Sequence, residues 1–159
     1  MIQLVKDYAQ FDGTTYLVEW FPGGTVPPGV RVTQVSAVCV TGDRQVVLVS
    51  ADGESWGLPG GHPEPGESVE ETLRREIREE ACCTVERSEY LGYQRCTPEG
   101  GGAPDYQLRY KCLVKPMEFL PKHEIRHRKL VPPGEFLGSL AWGKSPIVAE
   151  LARLSRIHD

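Results

Sequence analysis

Residues 61–83 read G-H-P-E-P-G-E-S-V-E-E-T-L-R-R-E-I-R-E-E-A-C-C. Ser68 followed by Glu71 is a capping box that opens a helix. Val69, Leu73, Ile77 and Ala81, spaced by four, give that helix one buried stripe. At about 100° per residue, Glu76, Glu79 and Glu80 fall within an arc of about 100°. Glu76 and Glu80 border the buried stripe, which predicts a cleft around them rather than open surface. Like charges three and four residues apart cost a few tenths of a kcal/mol per pair, so the cluster calls for a cation. Oxygen-only donors select a hard divalent ion, Mg²⁺ or Mn²⁺, over zinc. Such a site suits metal-assisted chemistry on phosphates. A solvated acidic face, with Arg75 and Glu79 paired at i,i+4, is the competing reading.

The same 23 residues resemble the Nudix box, G-x5-E-x7-R-E-U-x-E-E-x-G-U, where U is a bulky aliphatic residue. Gly61, Glu67, Arg75, Glu76, Ile77, Glu79 and Glu80 match in register, and W-G-L-P-G at 56–60 looks like the usual approach. Cys82 stands where the pattern has glycine and Cys83 where it has an aliphatic residue. The resemblance implies an α/β fold, a helix–sheet–helix sandwich with a mixed central sheet. It makes Glu79 and Glu80 the principal metal ligands, Glu76 a ligand or a contact to metal-bound water, and the Gly60 carbonyl the completing donor. Glu67 and Arg75 become an ion pair that orients the catalytic glutamate. Many relatives place another glutamate just before the last strand, as a ligand or as general base toward water. Glu124 is the candidate for it, with Glu118 and Glu99 as rivals and a solvent-facing loop position as the alternative. The expected catalytic set is therefore Glu76, Glu79, Glu80 and Glu124.

Gly57, Gly60 and Gly61 permit tight backbone approach beside these carboxylates. The family's glycine at position 82 ends the helix in the left-handed region. A cysteine there costs about 1 kcal/mol if φ stays positive, so the expectation is a helix that ends differently.

At 159 residues, with 40% apolar and 25% charged residues, the chain has ordinary globular composition and one domain's worth of core. A net charge of −4 gives no footprint for nucleic acid, a capped RNA end as substrate aside. No apolar run approaches membrane-spanning length, and the first six residues lack the regions of a signal peptide, so no membrane partner is expected. The expected location is cytoplasmic. The five cysteines show no paired C-x-x-C spacing and read as reduced, buried small hydrophobes.

Residues 1–30 read as an N-terminal strand, rich in β formers at 14–20, followed by a loop at 21–29 with three prolines and three glycines. The Nudix-like domain then spans 31–159. Residues 32–40 and 45–50 form a hairpin, 84–96 and 106–115 two long strands with a Gly/Pro loop between them, and 126–131 a further strand. Ser145 and Pro146 open a last helix. The N-terminal strand can pair across a homodimer or extend the protomer's own sheet. The basic segment 126–129 reads as a phosphate contact or as an exposed edge strand. Trp56, Tyr93 and Tyr106 are candidates to stack on a base, or core residues.

The resemblance implies Mg²⁺-dependent hydrolysis of a pyrophosphate bond in a nucleoside diphosphate linked to another group. Nucleotides, sugar nucleotides and ADP-ribose are the small-molecule substrates of that class. The alternative is a sensor or scaffold domain that binds nucleotides without cleaving them.

Overall fold

The computed structural model describes residues 4–159, so the first three of the six N-terminal residues lie outside the described residues. The elements in chain order are β1 (Val5–Phe11), β2 (Thr14–Pro22), β3 (Val32–Val40), β4 (Val46–Ser50), β5 (Gly60–Gly61), α1 (Val69–Ala81), β6 (Cys83–Pro98), β7 (Asp105–Pro116), β8 (His127–Val131), α2 (Phe136–Ser139) and α3 (Pro146–Leu154). The strands form one sheet in the order β1-β2-β6-β7-β3-β4-β8, with β5 attached to β3. β3 and β7 run parallel and the other pairs antiparallel, which makes the sheet mixed as expected.

The β3 stretch 35–40 is almost continuously apolar because both of its faces are covered. Val35, Ala37 and Cys39 pack with Leu73, Ile77 and Ala81 of α1. Val38 packs on the opposite face with Val46 and Leu48 of β4 and with Ile147, Val148 and Leu151 of α3. The result is the helix–sheet–helix sandwich. Leu73 and Ile77 are fully buried, and each contributes about 1.5–3 kcal/mol of apolar burial. That burial fixes the rotation of α1 and so the direction in which its acidic arc faces. The capping box is formed in both directions: Ser68 Oγ accepts from the Glu71 amide at 3.1 Å, and Glu71 Oε1 accepts from the Ser68 amide at 3.2 Å.

The N-terminal segment extends the protomer's own sheet. β2 pairs with β6 and β1 forms the outer strand. β2 runs through Pro22, opposite Gly92, so the loop starts two residues later than the composition suggests. All five cysteines are free and buried. Burial pushes the Cys112 thiol up to about 12 and raises those of Cys39, Cys83 and Cys96 as well. No helix among the described residues is long and apolar enough to cross a membrane.

One expectation is overturned at the end of α1. Cys82 adopts the left-handed conformation itself, with φ 51° and ψ 48°, and its amide donates to the Arg78 and Ile77 carbonyls. The helix therefore ends in the geometry that glycine would give it, despite the Cβ. The surroundings over-determine that geometry. The Cys82 side chain is buried, its carbonyl accepts from the Met117 amide at 2.9 Å, and Arg128 holds the same carbonyl at 3.2 Å.

Candidate active site

β5 lies between β3 and α1, with Gly61 opposite Val35 and Gly60 opposite Ser36. Neither position has room for a Cβ as its neighbours stand. A Cβ on Gly60 would collide with Ser36 and the Val35 carbonyl, and one on Gly61 would collide with the Glu76 carboxylate. The two glycines thus let the strand pass close enough for the Gly60 amide to donate to Glu80 Oε1 at 3.0 Å.

Arg75 organises the carboxylates from behind. Its Nε donates to Glu67 Oε2 at 2.6 Å and its Nη2 to Glu67 Oε1 at 3.0 Å, a two-pronged pair. Its Nη1 donates to Glu76 Oε1 at 2.7 Å and to Glu79 Oε2 at 3.2 Å. Glu67 is itself held by Thr72 Oγ1 at 2.8 Å and by the Glu64 amide at 2.9 Å. These hydrogen bonds, Arg75 first, lower the Glu67 carboxyl to about 2, and Glu67 in turn raises the Arg75 guanidinium. The Glu67–Arg75 pair expected from sequence is formed, and so is the competing Arg75–Glu79 pair at i,i+4. One guanidinium makes both.

Glu76, Glu79 and Glu80 line one wall of a cleft of about 310 Å³, and the opposite wall carries Lys122, His123, Glu124 and Ile125. Glu124 therefore faces the three helix glutamates. Its rivals Glu99 and Glu118, exposed like Glu124 itself, are not among the residues lining the cleft. Burial pushes the Glu80 carboxyl up to about 7; the charges of Glu76, Glu124 and Glu79 add to the rise and the Gly60 amide opposes it. Glu80 is thus short of positive charge.

That shortage is the observation against which a divalent ion is tested. The donors are all oxygens, as a hard cation requires, and five carboxylates, those of Glu64, Glu76, Glu79, Glu80 and Glu124, share one cleft. They fit such an ion by chemistry, although among the described residues no three ligand-type side chains close around a single point. Arg75 draws Glu76 and Glu79 one way while the Gly60 amide holds Glu80 another.

Sequence reasoning missed Glu64, Lys122 and His123 as cleft residues and Arg128 as an inward-facing side chain. The first three sit in irregular segments with no periodicity to read. Arg128 sits in the basic stretch 126–129, where one member turns inward. Tyr93 and Tyr106 are 7% and 6% exposed and belong to the core beneath α1, so neither is free to stack on a base. Trp56 is half-buried, with the Lys129 ammonium 4.3 Å from its ring centre.

The sequence model of the NUDIX domain matches residues 30–151. The human 8-oxo-dGDP phosphatase NUDT18 is 36% identical over 86 residues, which cover 48% of this chain and 27% of that protein. The chain thus spans less than a third of the length of that relative. The Bacillus subtilis pyrophosphohydrolase BsRppH superposes with a TM-score of 0.73 at 23% identity, over 98% of this chain and 97% of that one. A NUDIX hydrolase from Nitrosomonas europaea superposes with a TM-score of 0.63 at 21% identity, over 81% and 90% respectively. At these identities the two structures speak to the fold alone.

Proposed function

The chain belongs to the NUDIX family, and from that premise we propose that it hydrolyses the pyrophosphate bond of a nucleoside diphosphate linked to another group. The observation that carries this reading is the set of three α1 glutamates, braced by Arg75 and the Gly60 amide, facing Glu124 across one cleft. Glu76, Glu79 and Glu80, with the Gly60 carbonyl, would hold Mg²⁺ or Mn²⁺. Bound there, the ion neutralises phosphate oxygens and makes water more acidic.

The chain's own residues supply the rest. Glu124, on the facing wall, would accept the proton of an attacking water. Water oxygen bonds to one phosphorus, the bridging P–O bond breaks, and the bridging oxygen leaves on the second phosphate. Lys122 and His123, on the same wall as Glu124, would meet the negative charge of the substrate. Glu67 and Arg75 act as positioning residues: Glu67 fixes Arg75, which holds Glu76 and Glu79 in direction. Positioning and charge stabilisation carry most of the rate in such a displacement.

For the nucleotide itself, the human relative is named for 8-oxo-dGDP, which puts oxidised purine nucleotides beside nucleoside triphosphates, sugar nucleotides, ADP-ribose and capped RNA in the panel to assay. The free, buried cysteines suit a reducing compartment, and we read the protein as cytoplasmic on that ground. The test is phosphate or nucleotide release from the panel with Mg²⁺, repeated with Glu79→Gln and Glu80→Gln. Turnover that vanishes in both variants is expected. Turnover that survives both removes the helix as the catalytic centre, and an inert wild-type protein that still binds a nucleotide makes the domain a sensor.

A further inference from the structure

Arg128 belongs to β8, an outer strand of the sheet, yet its guanidinium turns inward beneath the end of α1. Its Nη1 donates to the Ala81 carbonyl at 2.9 Å, to the Cys82 carbonyl at 3.2 Å and to the Met117 carbonyl at 2.9 Å. Its guanidinium carbon lies 5.2 Å from the centre of the Phe119 ring. The first two acceptors lie at the C-terminal end of a helix, where carbonyls lack intrahelical partners and sit at the negative end of its dipole. The third opens the irregular segment 117–126, whose residues 122–125 form the far wall of the cleft.

One side chain therefore joins both walls. Glu79 and Glu80 stand two and one residues before Ala81, and Glu124 stands four residues before Arg128 itself. Two lesser ties run across the same junction: the Met117 amide donates to the Cys82 carbonyl at 2.9 Å, and the Cys82 thiol lies 3.7 Å from the Leu120 carbonyl. A planar guanidinium can share its hydrogens among three carbonyls and still stack on an aromatic ring, which an ammonium on a flexible stem does less well.

We propose that Arg128 is a positioning residue that sets the separation between the helix glutamates and Glu124. The inference rests on the hydrolytic reading of the cleft. It goes beyond that reading by naming what holds the two walls in register. Arg128 touches no reacting atom and acts through the helix end and the 117–126 segment. It also explains how α1 ends in left-handed geometry on a cysteine, since the Cys82 carbonyl has a fixed cationic partner.

The test compares Arg128→Met and Arg128→Lys in the full chain, by kcat and KM on the panel nucleotide that the wild type turns over fastest. It adds thiol labelling with dithionitrobenzoate in native buffer. Misplacement of a reacting group by about 1 Å can cost up to about 100-fold, so Arg128→Met is expected to lose at least about 10-fold in kcat with KM little changed. Its Cys82 thiol should label while the other four stay silent, and a Cys82→Ser, Arg128→Met double variant should label nowhere. Arg128→Lys should recover part of kcat and slow the labelling.

Unchanged kcat in folded Arg128→Met, a silent Cys82, or labelling of all five thiols would each overturn the proposal, the last because it marks general loosening. If Arg128→Met does not fold, Arg128→Lys decides: kcat at the wild-type value with Cys82 silent refutes the role. A wild-type protein inert on the whole panel sinks the hydrolytic reading instead, so the two failures are distinguishable.

Discussion

Replacing Glu80 by Gln should stabilise the metal-free protein at neutral pH. Burial and the neighbouring glutamates raise the Glu80 carboxyl from its ordinary 4.5 to about 7, so the folded state binds this proton more tightly than the unfolded chain does. Stability is then lost as pH rises from about 4.5 to about 7, and the loss is complete above that. At about 1.4 kcal/mol per pH unit the ceiling is about 3 kcal/mol. Relaxation of the cleft reduces it, and we expect about 1–2 kcal/mol. Glutamine has the same shape, keeps an oxygen for the Gly60 amide and carries no charge. In urea unfolding with EDTA at pH 8, Glu80→Gln should therefore show the higher midpoint with an unchanged slope. At pH 4 the two proteins should coincide. Adding Mg²⁺ at pH 8 should reverse their order, because only the wild type gains the full set of carboxylates. A variant no more stable than wild type at pH 8 refutes the reasoning. So does an advantage that persists at pH 4, since charge would then not be its source.

Other perturbations separate the layers of the site. Gly61→Ala places a methyl against the Glu76 carboxylate and should cost at least about 10-fold in kcat while leaving a folded protein by circular dichroism. Gly60→Ala meets the backbone of β3 instead, so its main effect should be a lowered thermal midpoint. Glu67, held down to about 2 chiefly by Arg75, contributes stability that is fully present above pH 4.5 and fades as pH falls through about 2. Glu67→Gln should accordingly lower stability above pH 4.5, converge with the wild type as pH falls through about 2, and flatten the pH dependence over that window. Leu73→Ala, at a fully buried position under α1, should cost about 2–5 kcal/mol in chemical unfolding.

Much of this was legible because helix geometry converts spacing into direction. Once Ser68 and the stripe Val69, Leu73, Ile77, Ala81 fix a helix and its buried face, the orientation of Glu76, Glu79 and Glu80 follows without further information. Glu67 and Arg75 were legible through their place in the same frame. Glu124 was legible only by position, since the turn that brings it to the cleft has no period. The direction of Tyr93 and Tyr106 was hidden because alternation along β6 and β7 tells one face from the other but not which face meets α1. Arg128 reads from sequence as one of four exposed polar residues on an edge. Its partners are three carbonyls, and carbonyls leave no trace in a sequence. Cys82 misled for the same reason: intrinsic preference argues against a left-handed cysteine, and the contacts that override it come from residues 35 and 46 positions further on.

Arg75 has one more consequence. A domain whose acidic helix had no resident positive group would need its ion in order to fold, as small zinc domains do. Here a guanidinium already neutralises part of the repulsion, so the polypeptide does not need an ion in the cleft in order to assemble. Under the metal-dependent reading proposed above, a metal-starved cell would hold folded protein whose chemistry waits on supply alone.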